Sequence, residues 1–251
     1  DEIENGRTPE GRPFADLLAA AGLSVESVLG AHRARPHLKA YLELHIEQGP
    51  KLEAARTPIG IVDRIAGKNY RRCSFTGRAD HGGTTPLSRR RDSFLALAEF
   101  ALRANRLVDE RHGDGLLTIG TVTLSPGSFS VVPGRADFSL DTRSLSAETL
   151  VLMGGELLAL AEEVAAARGV AVASRLADAT EPVAVPAGLV ALLEEECAEL
   201  GYPRLRLTSG AGHDAQIVAS VAPAGLIFVP CAGGVSHAPG ESVDGDDLAK
   251  G

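Results

Sequence analysis

Residues 41–47 alternate with period two. Leu42, Leu44 and Ile46 fall on one side and Glu43, His45 and Glu47 on the other, which predicts a half-buried strand closed by Gly49-Pro50. Residues 59–65, apolar except for Asp63 and Arg64, read as a second strand. Upstream, 13–22 and 24–33 read as short helices, the first stopped by Gly22 and the second opened by Ser24 as N-cap. From about Gly67 the texture changes. A strand over 70–76 is followed by a loop, 77–90, rich in Gly, Thr and Arg. A helix over 92–111 would put Phe94, Leu97, Ala98, Ala101 and Leu102 on its apolar face. Residues 117–124 and 136–140 read as paired strands across a 126–134 loop. Ser146 can cap a helix running to Arg168, with Gly169 in the stop position, and 170–176 reads as a closing strand. Beyond Ala177 a helix opens at Pro186 and runs to about Gly201, another starts near His213, and 226–230 is a buried strand.

Strand, helix, two strands, helix, strand within 67–177 is the order of a compact α+β sandwich. The flanking segments, 1–66 and 178–251, have α/β texture. The expected fold class is therefore α/β, a discontinuous domain interrupted by an inserted α+β domain. The chain shows no internal repeat and no low-complexity segment.

Composition narrows the function classes. With 251 residues, 44% hydrophobic and 23% charged, the chain can bury a sizeable core. A net charge of −8 argues against nucleic-acid binding, which relies on clustered Lys and Arg. No apolar run approaches the roughly 20 residues needed to span a bilayer. Cys73, Cys197 and Cys231 are odd in number and lack CxxC spacing, so they read as reduced thiols of a cytoplasmic protein. The opening at Asp1 and the closing stretch from Asp246 to Gly251, which resembles the first turn of a helix, both read as cut ends.

Several polar positions could carry chemistry. His45 lies near the carboxyl end of a strand, where ligands gather in open α/β sheets. It is either a ligand, with Glu43 and Glu47 orienting it or helping to hold a cation, or a surface histidine on an edge strand. His237 follows the 226–230 strand through a glycine-rich loop, with Glu241 close behind; it reads as a metal donor or a loop histidine. His81 precedes Arg89, Arg90, Arg91 and Asp92 in a loop that feeds a helix N-terminus, an anion site or a solvated arginine run. Arg143 could clamp a carboxylate or pair with Asp141 or Asp137, although neighbours two residues apart are not expected to pair ideally. His213 and Asp214 open a helix, where the dipole would lower the basicity of the histidine. His32, His37 and His112 have no notable context and are assigned to the surface.

In this order the motifs resemble one family. Glu43 through Pro50 (ELHIEQGP), with Leu52 and Glu53, looks like the ELHIEQGPxLE motif of the N-carbamoyl-L-amino-acid hydrolase and allantoate amidohydrolase branch of the M20-type metallohydrolases. Gly77 through Pro86 (GRADHGGTTP), with Arg90, Arg91 and Asp92, is similar to that family's GxAxHAGTTPMxxRRD. The stretches around Val131–Gly134, Phe138–Arg143, Ser209–Ala215 and Ser236–Glu241 follow its remaining blocks.

The resemblance implies a two-metal catalytic domain, incomplete here, in segments 1–66 and 178–251, with a lid and dimerisation domain at 67–177. It implies hydrolysis of linear C–N bonds in N-carbamoyl amino acids or related ureido acids, two divalent ions (Zn, Mn, Co or Ni), a small carboxylate-bearing substrate and a homodimer. By resemblance His45 and His237 are terminal metal ligands. Gln48 and His213 contact substrate, His81 stabilises the oxyanion, and Arg143 grips the carboxylate. Ser130 stands where the family carries an Asn of the carboxylate site, and it lacks the amide's two donor hydrogens.

The family draws its other ligands and its general base from blocks that are not found before Tyr41. The Glu194–Glu196 run reads instead as a solvated helix face. The chain by itself is thus expected to lack part of the ligand set and to be inactive alone. The other readings are an aminoacylase or peptidase of the same superfamily, or a non-catalytic, dimer-forming remnant.

Overall fold

The computed structural model describes residues 5–8, 10–31 and 38–251. His32, His37 and the end of the helix expected over 24–33 lie outside the described residues. Residues 1–39 form one compact unit and residues 40–251 another. In the first, α1 (Phe14–Ala20) and α2 (Val25–Gly30) are short. α2 begins with a capping box in which Ser24 and Ser27 each bond the other's backbone N–H, satisfying donors that a first turn leaves unpaired.

The second unit is built on two larger sheets. The first contains β1 (Tyr41–Ile46), β2 (Ile59–Ile65), β10 (Val183–Ala184), β11 (Arg204–Ser209) and β12 (Ala224–Val229). Its order is β1-β12-β2-β10, with β11 on the other side of β2. β1 and β12 run parallel, His45 opposite Phe228. Both faces of β2 are covered over Ile59–Val62, which is why that stretch is continuously apolar rather than alternating. Leu52, Val62, Ile65, Leu207, Leu226 and Phe228 pack on one side, against α3 (Lys51–Ala55) and α7 (Asp214–Val218). Ile59, Ile61, Val190, Leu193 and Val229 pack on the other, against α6 (Ala187–Glu199).

The second sheet is antiparallel. It holds β3 (Gly67–Thr76), β5 (Leu116–Thr118), β6 (Val122–Ser125), β8 (Arg135–Ser144) and β9 (Ala171–Thr180) in the order β5-β8-β3-β9, with β6 also on β8. α4 (Ser93–Arg111) and α5 (Ala147–Arg168) supply the helical side of its core. Phe75, Phe100 and Phe138 form its aromatic centre, with ring centroids 5.6–5.9 Å apart. Ser146 caps α5, and Gly169 closes it in the left-handed conformation, φ 64°, as the sequence predicts. A small pair, β4 (Asp80–His81) with β7 (Val131–Val132), ties the 77–90 loop to the 126–134 loop.

Some expectations need correction. α4 buries Ser93, Ala96, Leu97, Phe100, Ala104 and Val108, while Phe94 and Leu102 are exposed. Ser93, Ala96 and Ala104 join Leu97, Phe100 and Val108 on the buried stripe, and Phe94 and Leu102 lie off it. The strand expected over 117–124 is two strands separated at Gly120. β11 and α3 are additional, and the helical turn read at the end of the sequence is the short α8 (Gly245–Lys250). His112, assigned above to the surface, is buried and bonds Glu156 at 3.0 Å.

A polar seam crosses the floor where α7 meets the first sheet. His213 Nε2 lies 2.7 Å from the buried Ser209 hydroxyl, and His213 Nδ1 lies 3.6 Å from Glu43 Oε1. Glu43 Oε2 accepts from Ala215 N at 2.6 Å, so its charge sits at the N-terminus of α7. Burial, and then the neighbouring His45, lower the His213 pKa to about 4.

Two measurements follow from these cores. Phe138→Ala should cost about 3–5 kcal/mol in urea unfolding, whereas Phe94→Ala should stay within about 0.5 kcal/mol. Equal losses would contradict the burial described. The unfolded chain takes up the His213 proton near pH 6.5 and the folded chain only near pH 4. Its share of stability is therefore complete above pH 6.5 and declines as pH falls from 6.5 to 4. His213→Gln should flatten the stability profile across that window; an unchanged slope would assign the acid sensitivity elsewhere.

Candidate functional site

β1 and β12 are adjacent and parallel, so the chain leaves both at the same edge of the sheet. There the two following loops meet. Gly234, at φ 65°, lies so close to Gly49 and Pro50 that an added Cβ would stand 2.9–3.1 Å from their backbone. Only glycine combines that φ with that approach at low cost. Glu53 reinforces the contact by accepting from Gly233 N at 3.0 Å.

The close approach joins two strained residues. Gln48 has φ 57° and His237 φ 55°, a region that side-chain-bearing residues enter at a cost of order 1–3 kcal/mol. Gln48 Nε2 lies 3.4 Å from His237 Nε2 and donates to the Ser236 hydroxyl at 3.0 Å. Glu241 then accepts from the Ser236 hydroxyl and from His237 N, both at 2.9 Å. These bonds lower the Glu241 pKa. Ser236 was given no role by the sequence reading, although it lies next to His237 and five residues before Glu241.

His45 is fixed from two sides. Its Nδ1 lies 2.8 Å from the Ile46 carbonyl. A carbonyl only accepts, so a proton sits on Nδ1, and in the neutral ring Nε2 keeps its lone pair. The His213 ring meets it in a T-shaped contact, with centroids 4.8 Å apart. The flanking glutamates do not serve it as orienting groups: Glu43 is spent on α7, and Glu47 accepts from Lys51 N and Leu52 N at the start of α3.

Arg143 enters from β8. It pairs with Asp141 at 2.9 Å, donates to the Tyr70 hydroxyl at 3.2 Å and reaches the Gly210 carbonyl at 2.7 Å. Hydrogen bonding to Asp141 is the main cause of its raised pKa. The i, i+2 pairing held above to be poor is favourable here because residues two apart on a strand share a face. Arg135 with Asp137 and Arg78 with Asp80 use the same spacing. Arg143, Gln48, Glu47, Gly210, Ser236 and His237 line a cleft of about 430 Å³.

His45, Gln48, Arg143, His213 and His237 thus gather at one sheet edge, with the His213 side chain wholly buried beneath it. His81 and Ser130 form a separate group on the β4–β7 tip, where Gly82 N donates to the Ser130 carbonyl at 2.6 Å. His81 Nδ1 accepts from Gly83 N and Thr84 N, which leaves the proton on Nε2. Arg90 braces this loop through the Gly82 and Thr85 carbonyls, and Asp92 occupies the N-terminus of α4. The anion at that helix end is the chain's own carboxylate.

The donor chemistry of His45 and His237 fits terminal imidazole ligands of a divalent-metal centre. Among the described residues no group of three or more His, Cys, Asp or Glu is arranged to hold a metal ion, so these residues fit only part of a shell. Also among them, no helix is long and apolar enough to cross a membrane.

Comparison with known proteins places this arrangement. The chain is 36% identical over 255 residues to an N-carbamoyl-L-amino-acid amidohydrolase of Paenarthrobacter aurescens, covering 100% of this chain and 61% of that protein. It is 34% identical over 256 residues to an allantoate amidohydrolase of Escherichia coli K12, with the same coverage of 100% and 61%. The crystal structure of an amidase of the hydantoinase/carbamoylase family from Burkholderia multivorans superposes with TM-score 0.82 at 34% identity, over 96% of this chain and 57% of that one. The chain therefore spans about three-fifths of the length of these relatives. Residues 10–251 match peptidase family M20/M25/M40, and with this sheet and these motifs the chain belongs to that family.

Proposed function

We propose that this chain carries part of the active site of a metal-dependent amidohydrolase that cleaves linear C–N bonds of N-carbamoyl amino acids or related ureido acids. The observation that carries the reading is the cleft where Gln48 and His237 meet beneath the Arg143 guanidinium. A fixed cation supplies a physical reason for an acidic substrate.

In this reading His45 and His237 are terminal ligands of a centre taking zinc, manganese, cobalt or nickel. The metal, when bound, supplies Lewis-acid polarisation of the scissile carbonyl. The remaining ligands and the general base are assigned to polypeptide that this chain does not span. Arg143 takes the substrate carboxylate by exchanging its Gly210 carbonyl for a charged acceptor while Asp141 and Tyr70 hold the guanidinium plane. Gln48 contacts the polar end of the substrate. His213 is read as the buried support of His45 rather than as a substrate contact, because its side chain has no exposed surface.

His81 and Ser130 belong to the exposed tip of an inserted lid, residues 67–177. We assign them to the site of a second copy in a homodimer. There the protonated Nε2 of a neutral His81 suits an oxyanion, and Ser130 offers one hydroxyl to the carboxylate. The three free cysteines support a cytoplasmic setting.

Fused behind the segment of the Paenarthrobacter relative that it does not match, the chain should hydrolyse N-carbamoyl-L-amino acids with stimulation by zinc, manganese or cobalt, followed by ammonia release. The unfused chain should show no turnover. A folded fusion that cleaves only N-acyl amino acids or dipeptides would favour the aminoacylase or peptidase reading instead. In the active fusion, Arg143→Ala should raise KM roughly 10- to 100-fold, the worth of a charge-assisted bond, with kcat nearly unchanged. His81→Ala should lower kcat roughly 100-fold at constant KM. The opposite split between kcat and KM would reverse the two roles.

A further inference from the structure

Within residues 40–251 the chain passes once from the first sheet to the second and once back. It leaves at Ala66, between β2 and β3, and returns through Glu181 and Pro182, between β9 and β10. The two crossings are pressed together. A Cβ on Gly67 would stand 2.6 Å from the Pro182 ring and 2.7 Å from the Thr180 carbonyl, so the position takes only glycine. One side chain reaches both crossings. Gln216, on α7 and 7% exposed, donates to the Ala66 carbonyl at 3.0 Å and to the Glu181 carbonyl at 2.8 Å. Both partners only accept, so the amide nitrogen faces them and gives one hydrogen to each. The Ala66 N–H in turn donates to the Ser209 carbonyl at 2.8 Å. Both backbone polar groups of the outgoing crossing are thus held by the segment that runs from β11 into α7.

We propose that Gln216 is a positioning residue that sets the angle between the two sheets and, through it, the place of Arg143 over the cleft. Strand register makes the link. In the β3–β8 pair Gly67 lies opposite Ser144 and Lys68 opposite Arg143. Arg143 therefore stands beside the crossing whose carbonyl Gln216 holds, and a change of direction at that crossing carries Arg143 with it. Little else polar fixes the second sheet. Among the described residues, the only hydrogen bond or ion pair between 67–180 and the first-sheet segments runs from Arg143 to the Gly210 carbonyl. Gly210 lies in the loop that leads into α7, so the segment that receives Arg143 also carries the side chain that aims it. α7 is anchored in its turn, through Glu43 on Ala215 N and through His213 on Ser209. Element-terminal residues of this kind absorb the dihedral changes of a hinge, and here one buried amide restrains both of them. The inference concerns orientation alone, so it stands apart from the proposed reaction and its test reads no hydrolysis.

Residual dipolar couplings measured on the chain report the orientation of each sheet separately. In the parent chain both sheets should fit one alignment tensor. Gln216→Met keeps the length of the side chain and removes both donors. Each sheet should then still fit its own structure while the two no longer share a tensor, and the Arg143 guanidinium protons should exchange at least tenfold faster. If that variant fails to fold, Gln216→Asn keeps a buried amide on a shorter stem that cannot reach both carbonyls, and it should show the same loss of the common tensor. Sheets that keep one tensor in the substituted chain, with Arg143 exchange unchanged, would overturn the proposal. So would a parent chain whose sheets already align independently. Loss of each sheet's own couplings in both variants would make Gln216 a general packing residue and overturn it as well.

Discussion

The contact between the loops that follow β1 and β12 governs everything built at this edge of the sheet. Two parallel neighbours deliver their chains to the same side, but parallel pairing alone leaves those chains free to diverge. Gly234 lying against the Gly49–Pro50 backbone prevents this, and a β-carbon there would force the loops apart. Strain at Gln48 and His237 follows from the contact. Both residues are held in left-handed conformations by bonds outside themselves: Gln48 through Ser236, and His237 through Glu241. The order runs from strand pairing to loop packing to strained backbone to side-chain placement.

Around that contact, charged groups are spent on holding rather than on reacting. Glu43 and Glu47 flank His45 in sequence, yet each carboxylate binds the start of a helix, α7 and α3 respectively. Those bonds fix the helices that wall the site. The His213 ring, kept neutral by burial, then supports the His45 ring from below. Arg143 completes the arrangement from the other sheet, held flat by Asp141 and Tyr70 and touching the Gly210 carbonyl across the cleft.

Much of the fold was legible because its signals are local. Ser146 and Gly169 mark the ends of α5, and the apolar run of β2 marks a strand buried on both faces. Where the reading failed, tertiary contact had overridden the local pattern. α4 packs through Ser93 and Ala96, which carry little hydrophobic signal, and leaves Phe94 in solvent. β3 and β9 extend beyond their apolar stretches because each is paired along its length. The Arg204–Ser209 strand alternates charged and apolar residues over its first four positions, and that signal could have identified it. In the site, His45 and His237 were legible by their position after strands. The service of Ser236, Tyr70 and Asp141 was not, since it depends on contacts across 188 and 73 residues of chain or on the shared face of a strand. The separation of His81 and Ser130 from the sheet edge likewise emerges only in three dimensions.

The most direct test of the central claim follows the imidazole signals of His45 and His237 by NMR while zinc is added to the chain. If the Gly234 contact brings the two loops together as described, both sets of signals should shift in step with one shared affinity. Gly234→Val should then weaken that affinity at both residues. Signals that titrate independently, or a Gly234→Val chain that binds zinc as the parent does, would contradict the account.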